Sequence, residues 1–381
     1  MPVYVFGSNS ISQLGLGTEI IKSKPVRLSF FDEIKIKKVK CGVIHTLLLT
    51  TDGKLYSWGC NDECALGRDG DESIPGLVNI PEEIVDMAGG GSISVAISVK
   101  GNVYAWGTFR NESGVLGFTV DIKIQKYPLK LKLKNIVKVE CGFNHVLLLT
   151  DKNVLITFGV GICGQLGWKV SKRNKNCLIP TTISTTRKRK INEKFVDIKC
   201  GSSHSIAINS DGEAFVWGKN IYGQLGLNDR NSIYKRQKVD LKNIVTAEGG
   251  EDHSFFVAND YNIFSCGRND LGQLGLNDKL HRDIPTSINV IRKLKVKNIS
   301  KNIFDSNNYE EISNFKIQKI RSCGHFTIIQ IENTLFSFGF NTSGELGYDC
   351  ETSNLPTEID FDFGNILDFD VGNDFVVVLT E

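Results

Sequence analysis

Short apolar runs recur along the chain, each bounded by polar residues and glycine. They read CGVIHTLLLT at 41–50, CGFNHVLLLT at 141–150 and CGSSHSIAIN at 200–209, with looser copies GGEDHSFFVA at 249–258, CGHFTIIQI at 323–331 and AGGGSISVAIS at 88–98. Each apolar run is too short for a helix and suits a buried strand. A second phrase follows, an aromatic-Gly pair, several polar residues and then Leu-Gly. It occurs seven times: FGSNSISQLG at 6–15, WGCNDECALG at 58–67, WGTFRNESGVLG at 106–117, FGVGICGQLG at 158–167, WGKNIYGQLG at 217–226, CGRNDLGQLG at 266–275 and FGFNTSGELG at 338–347. Between the phrases, Asp52-Gly53 and Asp211-Gly212 give the dipeptide of a tight hairpin turn. Each unit therefore predicts strand, loop, strand, tight turn, strand, polar loop, with a fourth strand in the connecting segment.

The period of about fifty residues falls in the range of propellers and solenoids. A single four-stranded unit cannot bury both faces, whereas units stacked around an axis can. The first aromatic-Gly phrase has no Cys-Gly strand before it, and VGNDFVVVLT at 371–380 is such a strand with nothing after it. The expectation is an all-β, seven-bladed β-propeller over 1–381, closed by C-terminal strands that complete the N-terminal blade. A solenoid would show atypical capping repeats at both ends instead. Kelch and Trp-Asp repeats fit less well, because neither spacing recurs.

Composition narrows the chemistry. Gly is high at 37, Met is 2 and the net charge is +2, so no global basic field imposes nucleic-acid binding. Four of the ten Cys, at 41, 141, 200 and 323, recur before Gly on separate repeats, which reads as buried reduced thiols rather than a disulfide framework. No signal peptide and no apolar run near membrane-span length is visible, so an intracellular, soluble protein is expected. His45, His145, His204 and His253 share one repeat position; ligands on separate blades make a zinc site implausible, and each ring is expected to tie its loop to neighbouring backbone. No cofactor and no metal is expected. No nucleophile, base and orienting acid converge in any motif, which speaks against a covalent catalyst.

Three places break the repeat. Residues 171–194 hold eight Lys or Arg against one Glu, and residues 287–315 form a second insertion of mixed charge. The third polar loop, Thr108-Phe109-Arg110-Asn111-Glu112-Ser113-Gly114-Val115, is two residues longer than its neighbours. It puts Phe109 and Val115 in what should be a protruding loop, either as partner anchors or as a turn folded on its own blade.

The Leu-Gly and Cys-Gly phrases resemble the repeats of the regulator of chromosome condensation family, exchange factors for the small GTPase Ran. Two segments, SWGCNDECALGRD at 57–69 and AWGTFRNESGVLG at 105–117, resemble the second blade and the β-wedge segment of those exchange factors, and IPGLVNIPEEIVDMAGG at 74–90 is similar too. The resemblance implies a Ran-type GTPase as partner, with residues 108–115 as the wedge and His45, Asn144 and Asp252 on the GTPase-binding face. It also implies histone and DNA contact through Lys172, Arg173, Lys175, Arg187, Lys188, Arg189 and Lys190, and a nuclear or cytosolic location. A solvated loop or an import signal is the other reading of those cations. In the family, two acidic positions correspond to Gly91 and Asn144 here, a His position to Asp252 and a basic one to Trp168. The wedge is thus kept while several supporting contacts are not, and a non-catalytic interaction propeller is the alternative function.

Overall fold

The computed structural model describes residues 1–170, 175–183, 193–288 and 316–381. Lys172, Arg173, Arg187, Lys188, Arg189 and Lys190 lie outside the described residues, as does most of the 287–315 insertion. Seven four-stranded antiparallel sheets and one two-stranded hairpin are formed among the described residues, giving the expected seven-bladed propeller. One blade shows the plan, with Ile36–Cys41, His45–Thr50, Leu55–Gly59 and Gly76–Val78 adjacent in that order from the axis outward. The second strand of that blade is buried at every residue, while an outer strand such as Gln125–Lys130 is largely exposed.

The ends of the chain share one blade. Val3–Gly7 pairs with Phe375–Thr380 in unbroken register from Val3↔Leu379 to Gly7↔Phe375. Lys22–Arg27 lies outside this pair and Ile366–Val371 inside it. A strand from one terminus hydrogen-bonded to a strand from the other leaves no open edge at the seam.

The innermost strands bring charge to the axis in a regular order. Lys40, Ala88, Glu140, Lys199, Glu248, Arg321 and Asp370 occupy one equivalent register position around the ring. The signs alternate, and the pairs touch: Lys40–Glu140 at 3.0 Å, Lys199–Glu140 at 3.5 Å, Lys199–Glu248 at 3.6 Å, Arg321–Glu248 at 2.6 Å and Arg321–Asp370 at 2.8 Å. Asp370 closes the circle by accepting the Cys41 N–H at 2.8 Å. Two residues earlier, Lys38, Asp86, Lys138, Asp197, Thr246, Lys319 and Asp368 form a second such ring. An odd number of positions cannot alternate all the way round, and the neutral residues Ala88 and Thr246 absorb the misfit, one per ring. Burial opposes ionisation of Glu140, but Lys40 and Lys199 beside it hold its carboxyl well below the usual range.

The repeated histidines join blades. Nε2 of His45, His145, His204 and His253 sits 2.7–2.9 Å from the hydroxyl of Ser94, Ser205, Ser254 and Ser322 respectively, each on the next blade. Each serine spends its own proton on a backbone carbonyl, that of Ala65, Gln165, Gln224 and Phe326. Nε2 must therefore carry the histidine proton. The tie is thus to a neighbouring side chain rather than to the backbone expected from the sequence. The Cys-Gly step follows from the same packing: a Cβ on Gly42 would lie 2.4 Å from Cε1 of His45.

Candidate functional site

In every blade the Cys-Gly loop and the aromatic-Gly to Leu-Gly loop join strands at the same end of the sheet, so both sets crown one face of the ring. Seven such loops, four starting Cys-Gly and the others Gly89-Gly90, Gly249-Gly250 and Val371-Gly372, meet there around the axis, linked by backbone hydrogen bonds such as Val43 N–H to Gly90 O at 3.0 Å and Ser202 N–H to Gly250 O at 3.0 Å. A small cavity of about 70 Å³ opens between them, lined by glycines and by the charged ring below. The end is stiff because neighbouring loops hold each other as well as their own strands.

Among the described residues, one element projects from this face. Phe109–Asn111 and Gly114–Gly117 pair as a two-stranded hairpin, with Arg110 opposite Val115 and Asn111 opposite Gly114. Glu112 and Ser113 form the exposed turn, and Gly114 takes φ +105°, a conformation that favours glycine. Isolated two-stranded hairpins are marginally stable in water, so the neighbours of this one decide its rigidity. Phe109 is fully buried and meets Phe158 of the next blade edge-to-face at 5.7 Å. Gly159 makes room, since a Cβ there would lie 2.9 Å from the Phe109 ring. Thr108 is likewise buried and donates its hydroxyl to Lys123 O at 2.7 Å.

The longer loop is therefore a hairpin rather than a turn laid on its own blade, but its anchors are corrected. Phe109 and Thr108 are sealed inside the fold and root the hairpin, Phe109 against Phe158 of the next blade and Thr108 on the Lys123 carbonyl. Arg110, Asn111, Glu112, Ser113, Gly114 and Val115 form the part with exposed surface. His45 is corrected too: with no exposed surface it cannot touch a partner, and it serves the blade joint. Burial lowers the pKa of His45 to about 4 and those of His145, His204 and His253 to about 3.

Asp252 is only 4% exposed, and its carboxylate pairs with Lys219 at 2.9 Å and accepts from Gln224 Nε2 at 3.0 Å. Its charge is answered within the chain. Asn144 is half-buried and turns its side chain to the hairpin, where Oδ1 accepts the Arg110 N–H at 2.9 Å. Gly91 adjoins it, and its N–H donates to Phe143 O at 2.7 Å. Trp168 is half-buried and packs on the cluster that holds Phe109. Sequence reasoning missed Glu63. It pairs with the Arg110 guanidinium and accepts the Ser92 hydroxyl at 2.9 Å. It also missed the Glu251–His325 pair at 3.2 Å on the same face.

The strand Thr181–Thr182 falls inside the 171–194 insertion and pairs with Leu155–Gly159. Before that strand, Lys175–Leu178 form a short 3-10 turn in which Lys175 is exposed and Cys177 and Leu178 pack in the cluster that holds Phe109. The described residues Ile183 and Glu193 lie at the opposite end of the ring, where Phe195–Cys200 begins. Among the described residues no three His, Cys, Asp or Glu gather as a metal-binding set, and no helix is long and apolar enough to cross a membrane.

A ring-closed seven-bladed propeller with one rooted hairpin on its loop face defines the class. The RCC1-like domain model matches residues 2–378, and the chain belongs to that family. Among relatives, the regulator of chromosome condensation of Xenopus laevis is 33% identical over 251 residues, covering 62% of this chain and 59% of that protein. The guanine nucleotide exchange factor SRM1 of Saccharomyces cerevisiae is 34% identical over 275 residues, covering 60% of this chain and 55% of that one. The matched region thus spans less than two thirds of either relative. The crystal structure of Saccharomyces cerevisiae Prp20p, described with its binding properties to Gsp1p and histones, has a TM-score of 0.85 at 29% identity and covers 99% of this chain and 90% of that one.

Proposed function

We propose that this protein is a guanine-nucleotide exchange factor for a Ran-type small GTPase. The hairpin Arg110–Val115 carries the reading: among the described residues it is the single projecting element on the loop face, and it stands on a buried aromatic root between blades. An exchange factor makes and breaks no covalent bond. It binds the nucleotide-free GTPase more tightly than the nucleotide-bound one, and by linkage nucleotide binds the complex more weakly by the same factor. A rigid face grips the GTPase while the hairpin tip displaces the elements around phosphate and magnesium. A support that yielded would move instead of its target. The guanine nucleotide exchange factor SRM1, 34% identical to this chain, supports the same activity.

Two further parts of the reading rest on family likeness. Lys172, Arg173 and Lys175, with Arg187, Lys188, Arg189 and Lys190, contact DNA phosphate or an acidic histone surface, and the protein works in the nucleus. Binding that loses strength steeply with added salt, and loses it less steeply in a variant with these cations neutralised, is the expected signature.

A second reading is an interaction propeller without exchange activity. It is favoured by the internal pairing of Asp252 and the sealing of His45, which remove two side chains from the face. The ultraviolet-B receptor UVR8 of Arabidopsis thaliana, 29% identical over 231 residues, is a relative with another named task. Binding to immobilised Ran separates the two readings. The exchange factor retains far more nucleotide-free than GDP-bound Ran, whereas a scaffold does not distinguish them.

A further inference from the structure

We infer that Asn144 and Glu63 are positioning residues that clamp the Arg110–Val115 hairpin between three blades, an inference that rests on the exchange-factor reading. Phe109 fixes the root of the hairpin, but the root alone leaves the tip free to rock about that ring. Arg110 is the first residue beyond it, and both its backbone and its side chain are held. Its N–H donates to Asn144 Oδ1 at 2.9 Å, on the Cys-Gly loop of the following blade. Its guanidinium pairs with Glu63, on the Leu-Gly loop of the preceding blade. Glu63 is itself fixed, since its second oxygen accepts the Ser92 hydroxyl at 2.9 Å, on the hairpin's own blade. The Glu63 side chain is 15% exposed and that of Arg110 46%, so the clamp lies where the hairpin leaves the body.

The residue types fit the task. An amide at 144 accepts the N–H without drawing the guanidinium away from Glu63. The loop bearing Asn144 is set in turn by Gly91, whose N–H donates to Phe143 O at 2.7 Å. A Cβ at 91 would come within 2.9 Å of that carbonyl and displace the loop. Glycine at 91 and asparagine at 144, each a departure from the acidic residue expected there, thus share one cause.

The test compares the full chain with Asn144→Ala, Asn144→Asp and Glu63→Gln. Amide hydrogen exchange over 108–118 reads the clamp, and the rate and concentration dependence of GDP release from Ran read its consequence. Asn144→Ala and Glu63→Gln should speed amide exchange in the hairpin while leaving Phe375–Thr380 unchanged. They should lower the maximal GDP-release rate by about tenfold or more, with KM changed much less, because misplacement of a working element by about an ångström has effects of this order. Asn144→Asp keeps the acceptor but competes with Glu63 for the Arg110 guanidinium, and should loosen the hairpin less than Asn144→Ala does. Unchanged amide exchange in Asn144→Ala and Glu63→Gln overturns the clamp. A loosened hairpin with undiminished GDP release overturns the positioning role. If the unsubstituted chain does not accelerate release, the exchange-factor reading itself fails, and amide exchange still shows whether the clamp exists.

Discussion

Nε2 of His45 lies 2.8 Å from the Ser94 hydroxyl across the joint between two blades, and both side chains are fully buried. His145, His204 and His253 also face a serine, whereas Ile93, Phe326 and Phe375 hold the histidine position in the other three blades, Ile93 clustering with Val146 and Phe326 with Val376. The repeats therefore contain both a polar and an apolar solution to one joint. Ser94→Val alone should strand the His45 N–H and cost about 1–3 kcal/mol. His45→Phe with Ser94→Val should recover most of that loss. Urea denaturation of the two single variants and the double one checks this; simple additivity would contradict a shared joint.

Acid should destabilise the ring through the same histidines. Their pKa values are lowered by burial from the ordinary 6.5 to about 4 for His45 and about 3 for the other three. The unfolded chain then binds protons that the folded one refuses. Stability from this source is complete above about pH 6.5 and falls as pH drops toward 4 and 3, with up to about 1.4 kcal/mol lost per unit for each residue. Melting temperature measured from pH 7.5 to 4.5 should fall throughout the lower part of that range. Replacing His145 by Phe together with Ser205 by Val should flatten the slope.

The axial charges should be unequal in value to those at the rim. Glu140→Gln leaves Lys40 and Lys199 buried without their shared partner, and breaking such a pair costs about 3–5 kcal/mol. Asp52→Asn removes the partner of Lys54 in an exposed turn and should leave the melting temperature unchanged. Calorimetry of the two variants in parallel decides whether the ring of charges supports the fold.

The hairpin should separate into root and tip. Phe109→Ala empties a fully buried site and should cost about 3–5 kcal/mol of stability. A Gly-Ser replacement of 110–113 should leave the melting temperature close to that of the unsubstituted chain, because these residues contribute little to the core.

The repeat phrases made the seven blades and their closure legible, since each phrase maps to one turn or one strand. Paired functions were harder to read. His45 and Ser94 are 49 residues apart, so the joint is visible only when a column in one repeat is compared with the neighbouring column in the next. The single large apolar residue, Phe109, beside the polar Arg110 and Asn111 carried the signal that it roots the hairpin, and the extra loop length masked it. Glu63 had no local signal: it lies 47 residues from Arg110, and only the ring geometry brings them together.

Release of labelled GDP from Ran, with and without the hairpin tip, tests the proposed exchange activity most directly. The full chain should accelerate release many-fold, and the 110–113 Gly-Ser variant should lose that acceleration while melting at nearly the same temperature. Equal acceleration by both proteins, or none by the full chain, would contradict it.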